Sequence, residues 1–426
     1  MKARENALII LNKIEKESLY ANLELKNSLI CEEKDKTLAV EIIYGVLRYK
    51  LNLDYVISQY SKLKFSKLSL TVKNILRLSL YQILYLDRIP KSAACNEGVK
   101  LTRKYSHKGS VSFVNAILRK VSDIDKNEIS YPTDRKEYLK YKYSFPENIT
   151  EIFIRDYGVD KTEELLTQLN VNKGVCIRPN LTKISFSELA EILDENEILY
   201  KTVEGKAFII HKRNKIIDEF FAEGLCSIQD RASMKVVELL NPQKGDKILD
   251  VCAAPGGKSC YIAEMTGDEC KIVSCDIHKH RVELIKKNAQ RLSLKSINAI
   301  VLDGTESNRS FFGQFDKILL DAPCSGLGVI AKKPDIKWSG KDYDCLNEIQ
   351  RKIIDNVSFY LKPGGVLVYS TCTINKTENE DIINGFLNNH KDFRLVGNCV
   401  QLMPCEEYDG FFMCCLERIN NGKDKA

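Results

Sequence analysis

Apolar residues recur at intervals of three and four along the first third of the chain. Ala7, Ile10, Leu11 and Ile14 make one stripe. Leu38, Ile42, Ile43, Val46 and Leu47 make a second, and Ile75, Leu76, Leu80, Ile83 and Leu84 a third. This is the period of helices with one buried face. Polar breaks such as Glu32-Glu33-Lys34-Asp35 separate the stripes, and Pro90 closes one helix and opens another over Ser92–Tyr105. Residues 1–125 are therefore expected to form an all-α bundle of six or seven helices. A charged, aromatic connector with Pro132 and Pro146 follows, reading as two further helices to about residue 170.

The period then changes. Val175–Arg178, Ala207–Ile210 and Leu225–Gln229 read as strands and Ser185–Leu193 as a helix, so 126–230 is expected to hold the connector and a small α+β domain. From 231 to 420, short apolar runs alternate with helical patterns. Strands are expected at Ile248–Val251, Ile272–Asp276, Ile297–Leu302, Phe315–Leu320 and Gly365–Tyr369, and helices reach Glu264 and span His280–Leu292 and Asn347–Leu361. That alternation predicts a parallel, doubly wound sheet.

Charge adds a partner class. The net charge is only +6, but residues 1–125 carry 22 Lys and Arg against 13 Asp and Glu, which suggests a polyanion on the helical third. A lysine-rich solvated surface is the plain alternative. With 44% apolar and 29% charged residues the composition is that of a soluble globular protein. The apolar run Ala7–Leu11 is too short for a signal peptide or a membrane span. The fifteen cysteines form no Cys-x-x-Cys pair and do not gather with the five histidines, so no metal site is expected. Reduced thiols in a cytoplasmic protein fit best.

Candidate chemistry lies where the strands of the last domain end, the place where open α/β sheets bind ligands. Asp250-Val251-Cys252-Ala253-Ala254-Pro255-Gly256-Gly257-Lys258 is a strand-to-helix turn whose two glycines admit a ligand close to the backbone. It is neither Gly-x-Gly-x-x-Gly nor a P-loop, which disfavours dinucleotides and nucleoside triphosphates. Asp276 ends the next strand, where it can bind ribose hydroxyls. Asp303 follows the third, placed for an adenine amino group. Each is equally at home as a cap or turn residue. On successive strands they suit S-adenosylmethionine, a nucleoside with no phosphate.

Two cysteines stand at further strand ends: Cys324 in Asp321-Ala322-Pro323-Cys324-Ser325-Gly326 and Cys372 in Ser370-Thr371-Cys372-Thr373. Carbon 5 of cytosine is a weak nucleophile. A thiolate adding to carbon 6 activates it, and a second acid/base group eases the later release. Asp321 can hold the base, with Lys258 a plausible helper. Asp-Ala-Pro-Cys is unlike the Asp/Asn-Pro-Pro-Tyr loop of amino-group methyltransferases. The residues alone leave open which thiol is the nucleophile.

These three motifs resemble those of the NOL1/NOP2/Sun family of RNA cytosine-5 methyltransferases. Gln229-Asp230-Arg231-Ala232-Ser233, the basic loop Lys332-Lys333-Pro334-Asp335-Ile336-Lys337-Trp338, and Asp409-Gly410-Phe411-Phe412 resemble its accessory motifs, so the likeness covers about 225–418. The helical third resembles the RNA-binding NusB fold through Asp35–Tyr49 and Ser112–Arg119. The resemblance implies a multidomain protein: an all-α NusB-like domain, a small α+β linker domain and a Rossmann-like class I methyltransferase domain. It implies Cys372 as nucleophile, Cys324 as the residue that assists product release, and S-adenosylmethionine bound by Cys252–Lys258, Asp276, Asp303 and Asp321. The fusion is similar to the bacterial enzymes of the family that act on 16S rRNA, free or in an early small-subunit particle, as monomers. A non-catalytic RNA-binding or antitermination factor is the competing class, and tRNA or another rRNA site the competing target.

Overall fold

The computed structural model describes residues 2–17, 21–29, 32–211 and 215–420. They form two compact units: residues 1–170 with 333–340, and 171–332 with 341–426.

The first unit is helical: α1 (Ala3–Glu17), α2 (Ala21–Ser28), α3 (Glu33–Tyr60), α4 (Leu70–Tyr85), α5 (Lys91–Tyr105), α6 (Lys108–Ser122), α7 (Arg135–Tyr143), α8 (Glu147–Tyr157) and α9 (Val159–Gln168). Among the described residues six α-helices precede residue 125, within the six or seven that the periodicity predicts. The connector holds three rather than two, because Gly158, at φ 78°, splits the last helical stretch into α8 and α9. Helix α4 is the axis of the bundle. Ser69 caps it by accepting from Val72 N, and from Asn74 to Leu84 every residue is buried. A helix buried all round must be apolar or internally paired. Its Arg77 meets this with bidentate bonds to Asp54 (2.6 and 2.7 Å), one to Glu15 (2.7 Å) and one to Asn74 (2.9 Å).

Residues 333–340 complete this unit from far along the chain. The expected basic loop is in fact largely buried from Pro334 to Lys337. Lys337 Nζ donates to Arg48 O (3.0 Å), Ser144 O (3.1 Å) and Asn170 Oδ1 (2.9 Å) and stands 3.6 Å above the Phe145 ring. Trp338 Nε1 donates to Leu47 O (2.8 Å), and Asp335 accepts from Ala21 N (3.3 Å).

The second unit begins with a four-stranded antiparallel sheet ordered β2-β3-β1-β4: β1 (Val175–Pro179), β2 (Tyr200–Val203), β3 (Ala207–Ile210) and β4 (Cys226–Ile228). Helices α10 (Phe186–Glu195) and α11 (Lys215–Ala222) belong to it, and Ser185 with Glu188 forms a capping box on α10. Strand β2 and helix α11 are additions to what the sequence pattern predicts. β2 is half exposed and too polar to stand out. Cys176, Val203, Ala207 and Ile209 pack in one core with Met234, Val236 and Leu240 of α12 (Arg231–Leu240).

The remainder alternates as expected through β5 (Lys247–Asp250), α13 (Gly257–Met265), β6 (Lys271–Asp276), α14 (Lys279–Leu292), β7 (Ile297–Val301), β8 (Phe315–Asp321), α15 (Tyr343–Ser358) and β9 (Leu361–Thr371), and then adds α16 (Glu380–Asn389), β10 (Phe393–Leu402) and β11 (Phe411–Arg418). The sheet order is β10-β11-β9-β8-β5-β6-β7. The five strands from β9 to β7 are parallel, while β10 and β11 add an antiparallel edge. The sheet is therefore mixed rather than wholly parallel. A hairpin-like return needs no crossover helix, so the last two strands can pair directly. The order reverses between β5 and β8, which opens a crevice at their carboxyl ends.

Candidate functional site

The two cysteines meet because their strands are neighbours. Asp321 at the end of β8 pairs in register with Ser370 near the end of β9. Chain continuation from each brings Cys324 Sγ within 3.3 Å of Cys372 Sγ, both half-buried. The turns are stitched by Ala322 N to Ser370 O (2.8 Å), Gly328 N to Cys372 O (3.0 Å) and the Ser325–Thr373 hydroxyl pair (2.8 Å). The bond with Cys372, then burial, then the charges of Cys372, Glu378 and Asp321, push the Cys324 thiol well above the ordinary thiol range. Asp321 is held from both sides: Ser370 Oγ donates to Oδ1 (2.8 Å) and Lys258 Nζ to Oδ2 (2.6 Å). Lys258 thus orients the carboxylate next to the thiols.

The glycine turn lies between β5 and α13. Ala253 N donates to Cys275 O (2.8 Å) and Gly256 N to Ala253 O (2.7 Å), which curls the segment Cys252–Lys258 over the ends of β5 and β6. Gly256 has φ +102°, and a Cβ there would sit 3.2 Å from Ile285 Cα, so a side chain is doubly excluded. Asp250 is fully buried. It accepts from Ser259 Oγ (2.6 Å), which in turn accepts from Ser274 Oγ (2.8 Å), while its Oδ1 has no partner. Burial pushes its carboxyl up to about 7 against that bond.

Asp276 is buried. Oδ1 accepts from His278 N (3.1 Å) and Oδ2 pairs with Arg281 (3.1 Å), a half-exposed side chain that also donates to Ala254 O. Asp303 spends Oδ1 on Thr305 N (2.8 Å) and Thr305 Oγ1 (2.7 Å), the turn role that its sequence context also allows. Burial and then the charges of Asp250, Asp321 and Asp276 raise the Cys252 thiol. Three carboxylates thus surround the turn. Asp321 and Asp276 are paired with Lys258 and Arg281, so the turn offers hydrogen-bond acceptors rather than a strong net charge, which suits a nucleoside without a phosphate. The residues Cys252, Ala253, Ala254, Pro255, Gly256, Gly257 and Lys258 with Asp276, Asp303 and Asp321 accordingly fit S-adenosylmethionine.

Sequence reasoning missed several residues of the site. Glu378 and Asn379, both fully buried, bond to the two thiol turns. Lys341 Nζ donates to Cys324 O and Ser325 O, each at 3.0 Å. Lys332 bridges Asp230 (2.5 Å) and Asp409 (2.8 Å), and Lys173 also pairs with Asp409 (3.2 Å), so the three accessory motifs converge on one ion network. Asp230, Lys332 and Asp409 are marked in the sequence by membership of those motifs, whereas Lys173, Lys341, Glu378 and Asn379 lie outside them. Nothing in periodicity separates them from solvated loop residues.

Comparison with known proteins gives the family. The family profile "16S rRNA methyltransferase RsmB/F" matches residues 237–416, and that of the NusB family matches 1–123. A probable ribosomal RNA small subunit methyltransferase B of Bacillus subtilis (strain 168) is 36% identical over 97% of this chain and 98% of its own length. One of Synechocystis sp. is 33% identical over 98% and 99%. The crystal structure of PH0851 shares the fold with a TM-score of 0.81 over 98% of this chain and 99% of that one, at 24% identity. With a NusB region ahead of a methyltransferase region and relatives of this kind along nearly its whole length, the chain belongs to the RsmB/F family of 16S rRNA methyltransferases.

Proposed function

We propose that this protein methylates carbon 5 of a cytidine in 16S rRNA, using S-adenosylmethionine and a transient bond between Cys372 and the base. The observation that carries this is the 3.3 Å approach of two thiols beside Asp321, which Lys258 of the glycine turn holds. A methyltransferase acting on an amino group or a ribose hydroxyl has no use for either sulfur.

Bound S-adenosylmethionine would supply an electrophilic methyl carbon. The chain's own residues do the rest. Cys252–Lys258, Asp276, Asp303 and Asp321 hold the cofactor. Asp321, fixed by Lys258 and Ser370, accepts a hydrogen bond from the cytosine edge. The Cys372 thiolate adds to carbon 6, which makes carbon 5 electron-rich. The environment favours the proton of the thiol pair on Cys324. When carbon 5 later loses its proton to water, the C5–C6 double bond re-forms and the C6–S bond breaks. Cys372 departs as the thiolate that first added, and Cys324, still protonated, donates a hydrogen bond to the departing sulfur. Residues 1–125 gather the RNA through their excess of positive charge, 126–230 form a connecting module, and 231–420 perform the chemistry, in a monomer working in the cytoplasm on free rRNA or an early small-subunit particle.

The test uses undermodified 16S rRNA and radiolabelled cofactor. Cys324→Ala is expected to accumulate a protein–RNA adduct that survives a denaturing gel, and Cys372→Ala to form none. The reverse pattern exchanges the two roles, and absence of methyl transfer by the folded wild type rejects the enzyme.

A further inference from the structure

We propose that Glu378 and Asn379 are positioning residues that together set the two thiols against each other: the Glu378 carboxylate holds the turn bearing Cys324, and the Asn379 amide holds the turn bearing Cys372. The proposal rests on the reading that Cys372 bonds the base and Cys324 frees it.

The two residues are consecutive, lie at the junction between a short 3-10 turn (Lys376–Glu378) and α16, and are fully buried. Glu378 Oε2 accepts from Ser325 N (2.7 Å) and from Gln350 Nε2 (3.2 Å), which also donates to Pro323 O (2.9 Å). Oε1 accepts from Asn375 Nδ2 (3.0 Å). The residues on both sides of Cys324 are thus fastened through Glu378 and Gln350, with Lys341 on the carbonyls of Cys324 and Ser325. Asn379 Oδ1 accepts from Thr371 Oγ1 (2.6 Å), and its Nδ2 donates to Thr373 O (3.2 Å) and Gln401 Oε1 (3.0 Å). The residues on both sides of Cys372 are fastened through that one amide. Tyr369 Oη donates to Glu378 O (2.8 Å) and ties the post back to β9.

The direct bonds between the two turns still leave each turn room to shift, and a misplacement of about 1 Å in a reacting pair costs on the order of a hundredfold in rate. Adjacent residues of one rigid segment remove that freedom, because buried and fully bonded polar groups have no alternative partners. The Glu378 charge adds a second effect. Cys324 is faced by Cys372, Glu378, Asp321 with its partner Lys258, Tyr369, and the Lys341 ammonium on its own carbonyl. Glu378 helps to keep its proton on.

Full-length Glu378→Gln, Asn379→Ala and the isosteric Thr371→Val are compared with wild type and Cys324→Ala. Adduct formation and clearance are followed on denaturing gels between about pH 6 and 9, with melting temperature as a folding control. Glu378→Gln is expected to form adduct normally and clear it about tenfold more slowly, most markedly on the alkaline side, with Glu378→Asp restoring part of the clearance. Asn379→Ala and Thr371→Val are expected to form adduct about tenfold more slowly and clear it normally. Should Asn379→Ala fail to fold, Thr371→Val decides that side. Equal loss of formation and clearance in all variants, or wild-type behaviour, overturns the proposal. Adduct trapped by Cys324→Ala alongside normal clearance in Glu378→Gln sinks only the post. No adduct from Cys324→Ala sinks the underlying chemistry.

Discussion

Lys337 in the helical unit and Glu378 in the catalytic unit pose the same electrostatic problem with opposite sign. Each is buried, and among the described residues neither has an oppositely charged partner. An isolated buried charge is costly unless its hydrogen-bonding capacity is met. Lys337 donates three hydrogen bonds to carbonyl oxygens and adds an aromatic face. Glu378 accepts from one backbone N–H and two side-chain amides. The difference lies in what is being held. The acceptors of Lys337 come from Arg48, Ser144 and Asn170, sites distant in sequence that the lysine draws together, so its purpose is stability. The donors of Glu378 lie on or beside the turn that carries Cys324, so on the proposed function its purpose is geometry. A buried charge without a counter-charge is thus a fastener in both units, and only one of them adjoins the proposed site.

Substitution breaks the comparison most strongly at the lysine. Lys337→Ala leaves three buried oxygens without donors, and urea unfolding is expected to show a loss of about 4 kcal/mol. Asp250 sharpens it, since that buried carboxylate has a single hydrogen bond. Its folded value of about 7 exceeds the unfolded ~3.9, so its contribution is complete below about pH 4 and lost as pH rises through 7. Stability of the cofactor-free protein should fall across that window by at most about 4 kcal/mol, and Asp250→Asn should flatten the fall. Lys337 gives the opposite slope. Burial, then Arg48, lowers it well below its ordinary range, so the unfolded chain binds more protons up to about pH 10.4. Its contribution therefore improves as pH rises through that window, and Lys337→Met should remove the improvement. Glu378→Gln, being isosteric, should cost under about 1.5 kcal/mol while slowing adduct clearance. A stability loss like that of Lys337→Ala would erase the distinction between the two fasteners. The smallest effect lies outside both. Lys62, Lys64 and Lys67 are exposed, and changing all three to Glu should reduce the salt dependence of RNA binding, by about 0.7–0.9 in slope for each phosphate no longer neutralised.

Much of this arrangement is legible in the chain itself. Cys324 follows Asp321 by a fixed step at one strand end, and Cys372 follows Ser370 at another, so adjacency of β8 and β9 is enough to bring the sulfurs together. Apolar periodicity likewise marks the bundle and the alternating core, because burial of a stripe depends on local spacing. What escapes is set by long-range polar bonding. Glu378 reads like any acidic residue opening a helix. Lys337 reads like part of a basic loop, yet its acceptor Arg48 lies 289 residues away. Strand β2 escapes because its polarity follows from an edge position, which the chain does not announce.

The borrowed segment 333–340 also sets a timetable. Helices α1 to α9 are synthesised once residue 170 is made, but the lysine and tryptophan that finish their packing belong to a stretch that starts only at residue 333. At ordinary elongation speeds that is a wait of about 10–30 s. Throughout it the nascent bundle has an open seat, so the helical unit cannot complete its packing until residues 333–340 have been made.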